Sequence, residues 1–306
     1  MRYVTQRMMG LIAALLAVSS GSLVVAAIPP EIKNVVAFVF EKDAKGNIVP
    51  DGTGFFVGIK DDTKPDSIFE YFVTAKHVLQ NEDPESHRKT WLPQIYVRLN
   101  RKDGKSDTIT VPIVLDGKQK NVFIDNDHSV DLAVMHASVD SKIYVTQLLP
   151  VDMITTEDDF KAMGIQEGSE VFFTGLFTPY IGTKKNYPVF RFGRVALLTD
   201  EKISIGPGDE EDLYLVESGS YGGNSGSPVY FYIGMERSNN AIVVGPPIIK
   251  LAGIMKGTFL DFQPVVAVET KQKSVSQSSM GIAAVVPAYK LHDLLFDDEL
   301  RKLRQH

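Results

Sequence analysis

Apolar positions along the chain fall in short runs dominated by Val, Ile, Phe and Tyr, separated by polar and Gly-containing turns. Runs at Val35–Phe40, Phe55–Ile59, Phe69–Val73, Ile95–Leu99, Ile109–Leu115 and Leu132–Met135 predict a first set of strands. Val171–Phe173, Val189–Leu198, Leu213–Val216, Val229–Ile233, Ala241–Val244, Ile248–Met255, Val265–Val268 and Ile282–Val286 predict a second. Helical spacing is clear only after Pro287, where Tyr289, Leu291, Leu294, Leu295, Leu300 and Leu303 alternate with charged residues, so one amphipathic helix is expected over residues 288–304. Between the two sets, Ser138–Gly168 is more polar, carries a short helix candidate around Thr155–Met163 and reads as an interdomain connection. This density of strands and turns predicts an all-β chain built of sandwiches or barrels. Two strand sets of this length fit one β-barrel over residues 28–145 and a second over 146–306.

Ahead of the first strand, Arg2 and Arg7 precede a small and apolar stretch from Met8 to Ala27. Val25-Ala26-Ala27 offers small residues to a signal peptidase, and Pro29-Pro30 stops a helix from continuing, so residues 1–27 read as a cleaved secretory signal. An uncleaved anchor is the alternative, with Gly10, Ser19, Ser20, Gly21 and Ser22 making a poor span. The 306 residues contain no cysteine, which excludes disulfides, thiolate nucleophiles and Cys-ligated metals. Export without cysteine fits a bacterial periplasm or the surrounding medium. With 32 Lys and Arg against 38 Asp and Glu, the formal charge of -6 gives no basic field for nucleic acid or an anionic bilayer.

The segment Tyr221-Gly-Gly-Asn-Ser-Gly-Ser-Pro-Val229 gathers three glycines and an Asn around Ser225. Such a loop suits backbone conformations that a Cβ would obstruct, and it can aim the amides of Gly223 and Ser225 at one point as an oxyanion hole. Ser225 is the candidate nucleophile; a plain Gly/Ser turn between strands is the bland alternative. A serine hydroxyl needs a base and a group to orient that base. His77 follows the run Tyr71-Phe-Val-Thr-Ala at a strand's end, a rigid place for a base, whereas His87, His128, His136, His292 and His306 lie in loops, beside a strand or in the terminal helix and tail. Asp131 opens the apolar run Leu132-Ala-Val-Met135 and is the candidate to hold the His77 tautomer. With Asp125 and Asp127 nearby the segment also resembles a calcium loop, but Val130 stands where a sharp-turn glycine is needed and no bidentate Glu follows, so no metal is expected there.

Thr53-Gly54-Phe55, Phe72-Val-Thr-Ala-Lys-His77, Asp131-Leu-Ala-Val134 and Gly223-Asn-Ser-Gly-Ser-Pro228 come in the order His, Asp, Ser. From Val35 to Leu295 the chain resembles the trypsin-like (chymotrypsin-fold) serine peptidases, especially the bacterial glutamyl endopeptidase and Deg-type branches. Phe190-Arg-Phe-Gly-Arg-Val195 and Gly281-Ile-Ala-Ala-Val-Val-Pro287 are weaker echoes. The resemblance implies two six-stranded Greek-key β-barrels with a C-terminal helix, hydrolysis of peptide bonds through an acyl-enzyme, and no metal or organic cofactor. An α/β-hydrolase is excluded, since it needs Gly-x-Ser-x-Gly with its histidine after the serine.

Departures from the family refine the expectation. Asn224 replaces the Asp that in many relatives pairs with a new N-terminal amine, so activation by that route is not expected. By the family pattern the specificity pocket is formed by Gly219, Ser220, Tyr221 and Gly222, by Met255, Lys256 and Gly257, and by the stretch from Gly281. Gly219 stands where a tryptic enzyme has an acid, and Met255 where glutamyl endopeptidases have a histidine, so a soft uncharged pocket for small or medium apolar side chains is expected. Lys256-Gly257-Thr258 should offer a free edge to an extended substrate backbone. The acidic stretch Gly206–Asp212 reads as solvated, and no length remains after the last helix for a PDZ domain. The partners expected are protein or peptide substrates. A latent protease-fold protein that binds extended peptides, or needs a partner to order its oxyanion loop, is the second reading.

Overall fold

The computed structural model describes residues 28–61, 64, 67–83, 85–115, 119–206, 209–220, 222–234, 237–238, 241–242, 247–266 and 273–305. The proposed signal segment 1–27 and Tyr221 lie outside the described residues.

The N-terminal half is an antiparallel sheet of β1 (Val36–Lys42), β2 (Ile48–Lys60), β3 (Ile68–Thr74), β4 (Gln94–Asn100), β5 (Ser106–Pro112), β6 (Phe123–Ile124) and β7 (Ala133–Ala137). The strands lie in the order β6-β7-β3-β2-β1-β4-β5, and Leu149–Pro150 adds parallel to β2. A bulge in the β1–β2 pairing between Val39 and Phe40 helps this sheet curl. The C-terminal half is a closed barrel of β8 (Glu170–Gly175), β9 (Val189–Leu197), β10 (Tyr214–Glu217), β11 (Pro228–Ile233), β12 (Ile248–Val266) and β13 (Lys273–Pro287), ordered β8-β9-β10-β13-β12-β11. Beyond the barrel wall β12 and β13 continue as a two-stranded ribbon as far as the pair Val266 and Lys273. The fold is the mostly-β one expected, with a closed six-stranded barrel and few helices.

Alternation along the strands decides which side chains are buried. Ala37, Val39, Phe56, Phe72, Ile95, Val97 and Met135 fill the first sheet, and Phe173, Val216, Val229, Phe231, Met255 and Val285 fill the barrel. The opposite faces meet between the halves, where Phe55, Tyr71, Val73 and Val134 join Phe172, Tyr230, Leu251 and Val286 in one core. Fully burying side chains of this size stabilises by about 1.5–3 kcal/mol each, which fixes the two halves against each other.

Helix α1 (Glu157–Ala162) has Thr156 and Asp159 in a reciprocal capping box. The expected single terminal helix is two helices, α2 (Ala288–Leu295) and α3 (Asp298–Arg304). The Asp297 side chain accepts the Leu300 N–H at 2.8 Å and starts a new helix where the apolar spacing alone reads straight through. Likewise Ile109–Leu115 is not one strand: β5 ends at Pro112, and Val114–Leu115 pairs separately with Gln119–Lys120. Among the described residues no helix is long and apolar enough to cross a membrane.

Candidate active site

Strand register brings the candidate base and carboxylate together. Thr74, at the end of β3, pairs with Ala133, at the start of β7, so residues just past the one and just before the other share an end of the sheet. His77 lies in the 3-10 turn Lys76–Leu79, and Asp131 is 3% exposed in the segment entering β7. Asp131 Oδ1 accepts the His77 backbone N–H at 2.9 Å, and Oδ2 lies 2.6 Å from His77 Nδ1. That pair of contacts fixes both the position of the turn and the plane of the ring, leaving Nε2 without a hydrogen-bond partner among the described residues. Lys76 Nζ donates to the carbonyls of His128 and Val130 and pins the segment carrying Asp131. The neighbouring acids close turns: Asp125 accepts from the N–H of Asp127, and Asp127 accepts from the N–H of Ser129 and pairs with Lys202 at 3.0 Å.

The loop around Ser225 is held against the first sheet. The Ser225 carbonyl accepts the Thr53 N–H at 2.8 Å, the Thr53 hydroxyl donates to the Gly223 carbonyl at 2.8 Å, and the same hydroxyl oxygen accepts the Leu176 N–H at 2.9 Å. Gly223 and Gly226 have φ of 91° and 81°, in the left-handed region, and a Cβ on Gly226 would strike the Thr53 carbonyl and the Thr74 hydroxyl. Only glycine lets the loop lie this close to β2 and β3. Among the described residues no backbone hydrogen bond is made by the N–H groups of Gly223 or Ser225. The Ser225 hydroxyl donates to the Lys256 carbonyl at 2.8 Å.

Lys256 is therefore more than a stretch of β12 edge. Its side chain, 17% exposed, donates to Asp131 Oδ2 at 3.2 Å and to Glu211 Oε1 at 2.7 Å. Glu211 is only 5% exposed, which corrects the expectation that Gly206–Asp212 is merely solvated. The N–H of its neighbour Asp212 donates to the Ser129 carbonyl at 3.4 Å, and the Asp212 carboxylate pairs with Lys290 at 2.7 Å, so this end of the acidic stretch docks beside Asp131. An acidic stretch on the second half thus reaches the carboxylate on the first, a contact that local sequence does not signal.

Charge balance follows from these contacts. Burial pushes the Asp131 carboxyl up, but the His77 imidazole and the Lys256 ammonium outweigh it and hold the group well below the usual carboxylate range. Burial pulls His77 down, Asp131 raises it by more, and its pKa ends above the ordinary value despite the opposing charge of Lys256. Burial likewise lowers Lys256, while Asp131 and Glu211 raise it further and keep it charged. Asp51 on β2 also acts electrostatically on His77; burial and the nearby Glu41 lift it from 3.8 to about 6.

The residues expected to form the specificity pocket are divided. The Gly219 carbonyl accepts from Arg191 Nη1 at 3.1 Å, Ser220 is buried, and Gly281, with φ of 76°, accepts the Ser218 N–H through its carbonyl at 2.9 Å. A Cβ on Gly257 would meet open space. Met255 is fully buried among Phe173, Val216 and Val285, so its side chain belongs to the barrel core and only its backbone, bonded to Gly226 and Ser227, faces the loop. Arg191, 5.6 Å from the Phe177 ring, is not among the residues expected to form the pocket; it lines a cavity of about 610 Å³ with Phe177, Thr178, Pro179 and Gly222 beside the Ser225 loop. A larger cavity of about 860 Å³, lined by Ile28, Phe190, Phe192 and Tyr232, contains none of the candidate residues. Among the described residues no group of three His, Asp or Glu could hold a metal ion.

No curated protein matches the chain. Among solved structures, the crystal structure of Deg5 is similar over 74% of this chain and 80% of its own, at 16% identity and a TM-score of 0.39. Residues 52–232 match the family described as trypsin-like peptidase domain, a span that contains His77, Asp131 and Ser225. The chain belongs to the trypsin-like peptidase family.

Proposed function

We propose that the protein is an exported serine endopeptidase. His77 takes the proton of Ser225 as the hydroxyl oxygen attacks the peptide carbonyl, and the N–H groups of Gly223 and Ser225 receive the oxyanion. His77, oriented by Asp131, then passes the proton to the leaving amine, and water, deprotonated by the same imidazole, hydrolyses the acyl-enzyme. The observation that carries this reading is the 2.6 Å contact between His77 Nδ1 and a carboxylate that is 3% exposed, because a surface histidine has no use for a buried acid. Export rests on residues 1–27 of the sequence, with the periplasm or the medium as destination.

Substrate entry bears directly on the nucleophile. The Lys256 carbonyl that accepts from the Ser225 hydroxyl lies on the β12 edge that an extended peptide would join. A substrate N–H arriving there competes for the same oxygen and releases the hydroxyl to swing toward His77. This contact favours the second reading to one defined extent: the resting site is latent until a peptide occupies the edge. Incubation with an unfolded protein, followed by mass spectrometry of the new termini, tests the function. Cleavage after uncharged side chains that is abolished by Ser225→Ala is expected; no Ser225-dependent termini would overturn the proposal.

A further inference from the structure

The buried ion pair behind the candidate base is an element that the bare His, Asp and Ser arrangement does not require. We propose that Lys256, anchored by Glu211, is a positioning residue: it fixes the Asp131 carboxylate that orients His77 and, through its charge, sets the pH range in which His77 acts as a base. The inference rests on the peptidase reading for its consequence in catalysis, but the geometry behind it stands by itself.

An ammonium at 17% exposure carries a desolvation cost that one shared carboxylate does not cover. Asp131 already serves His77 with both oxygens, so Glu211 supplies the second negative group at 2.7 Å. Lys256 and His77 act on the same oxygen, Oδ2, so the ammonium lies no more than about 6 Å from the ring nitrogen, close enough for a low-dielectric interaction. The pair is neutral overall but directional, with its positive end on Asp131 Oδ2, the oxygen that also faces His77 Nδ1, and its negative end on Glu211. Such a dipole opposes protonation of the imidazole. Lys256 also holds the Ser225 hydroxyl through its carbonyl, so one residue of β12 touches both the orienting acid and the nucleophile.

Among the described residues, the charged groups that act on His77 are Asp131 from the segment before β7, Lys256 from β12 and Asp51 from β2. Lys76, next in the chain, points to the carbonyls of His128 and Val130; Glu211 and Lys89 act on Lys76, and Glu41 acts on Asp51. All except the substituted residue are common to the variants below, so their contributions cancel.

Two single substitutions must move the base in opposite directions. Lys256→Met removes the positive end and raises the His77 pKa by about one pH unit; Glu211→Gln removes the negative end and lowers it. A role confined to packing predicts no such split. His77 is titrated by NMR of its labelled imidazole in a Ser225→Ala background, which needs no turnover, and the same variants with Ser225 intact give the pH profile of fluorophosphonate labelling. Lys256→Arg should return the titration close to that of the parent. If Lys256→Met fails to fold, Lys256→Met/Glu211→Gln, which leaves no lone charge, takes its place and must also raise the pKa. Unchanged titrations, or shifts of the same sign in the two single variants, overturn the inference. Parent protein that titrates as stated but never labels would instead refute the peptidase reading and leave the charge coupling intact.

Discussion

Replacing Asp131 by Asn probes the contact on which the chemistry depends while barely changing shape. The Asn carbonyl oxygen can keep the 2.9 Å bond from the His77 backbone N–H, which turns the amide NH2 toward the ring nitrogen that Oδ2 now faces at 2.6 Å. A donor there selects the tautomer with its proton on Nε2, the nitrogen that accepts from Ser225 in the proposed mechanism. The same NH2 faces the Lys256 ammonium, which loses its 3.2 Å partner and keeps only Glu211. Breaking a buried charge pair in this way costs about 3–5 kcal/mol of stability, and loss of the tautomer lowers the rate by about 10⁴, equivalent to about 5 kcal/mol in the barrier. Both are measurable: urea unfolding gives the first, and the rate of fluorophosphonate adduct formation, followed by intact mass at pH 7.5, gives the second. An Asp131→Asn variant that is folded at the assay temperature and labels within tenfold of the parent would refute the role assigned to Asp131.

Three further outcomes follow from the same contacts. Gly226→Ala places a methyl against the Thr53 carbonyl and the Thr74 hydroxyl at φ of 81°, so Ser225 is displaced and labelling should slow by about 100-fold; a folded variant with parental rate contradicts this. Thr53→Val strips the buried bridge between the Gly223 carbonyl and the Leu176 N–H, which should cost about 2–4 kcal/mol in urea unfolding and slow labelling about tenfold, with Thr53→Ser restoring both. Asp51 titrates at about 6 in the fold against 3.8 ordinarily, so its penalty is absent below the lower value, grows between the two and is complete above the upper. Asp51→Asn should therefore raise unfolding stability by up to about 3 kcal/mol at pH 8 and by little at pH 4, and an equal gain at both would contradict the assignment.

What was legible in the sequence had a local physical signature. Val35–Phe40 and Phe69–Val73 read as strands because β-branched and aromatic residues dominate them, and the structure places these strands at Val36–Lys42 and Ile68–Thr74; the loop around Ser225 reads as special because its glycines permit φ that other residues avoid. His77 and Asp131 were legible because each sits at the end of a strand, and the pairing of Thr74 with Ala133 then brings them together. Features made by long-range contact were not legible. Lys273–Ser279 is polar and without apolar period, yet it is strand because it pairs with β12. The break at Asp297 is a capping event inside an unbroken apolar pattern. Glu211 looked solvated because its Lys256 partner is 45 residues away in the chain, and Met255 looked like pocket lining because its position in the family pattern says nothing of which way the side chain points.

Intact mass of the protein after exposure to a fluorophosphonate tests the central claim most directly, with Ser225→Ala and His77→Ala measured alongside. A single adduct on the parent that both substitutions abolish is the predicted result. A folded parent that takes no adduct, even with an extended peptide present to occupy the Lys256 edge, or an adduct that survives Ser225→Ala, would contradict the assignment of Ser225 as nucleophile and His77 as its base.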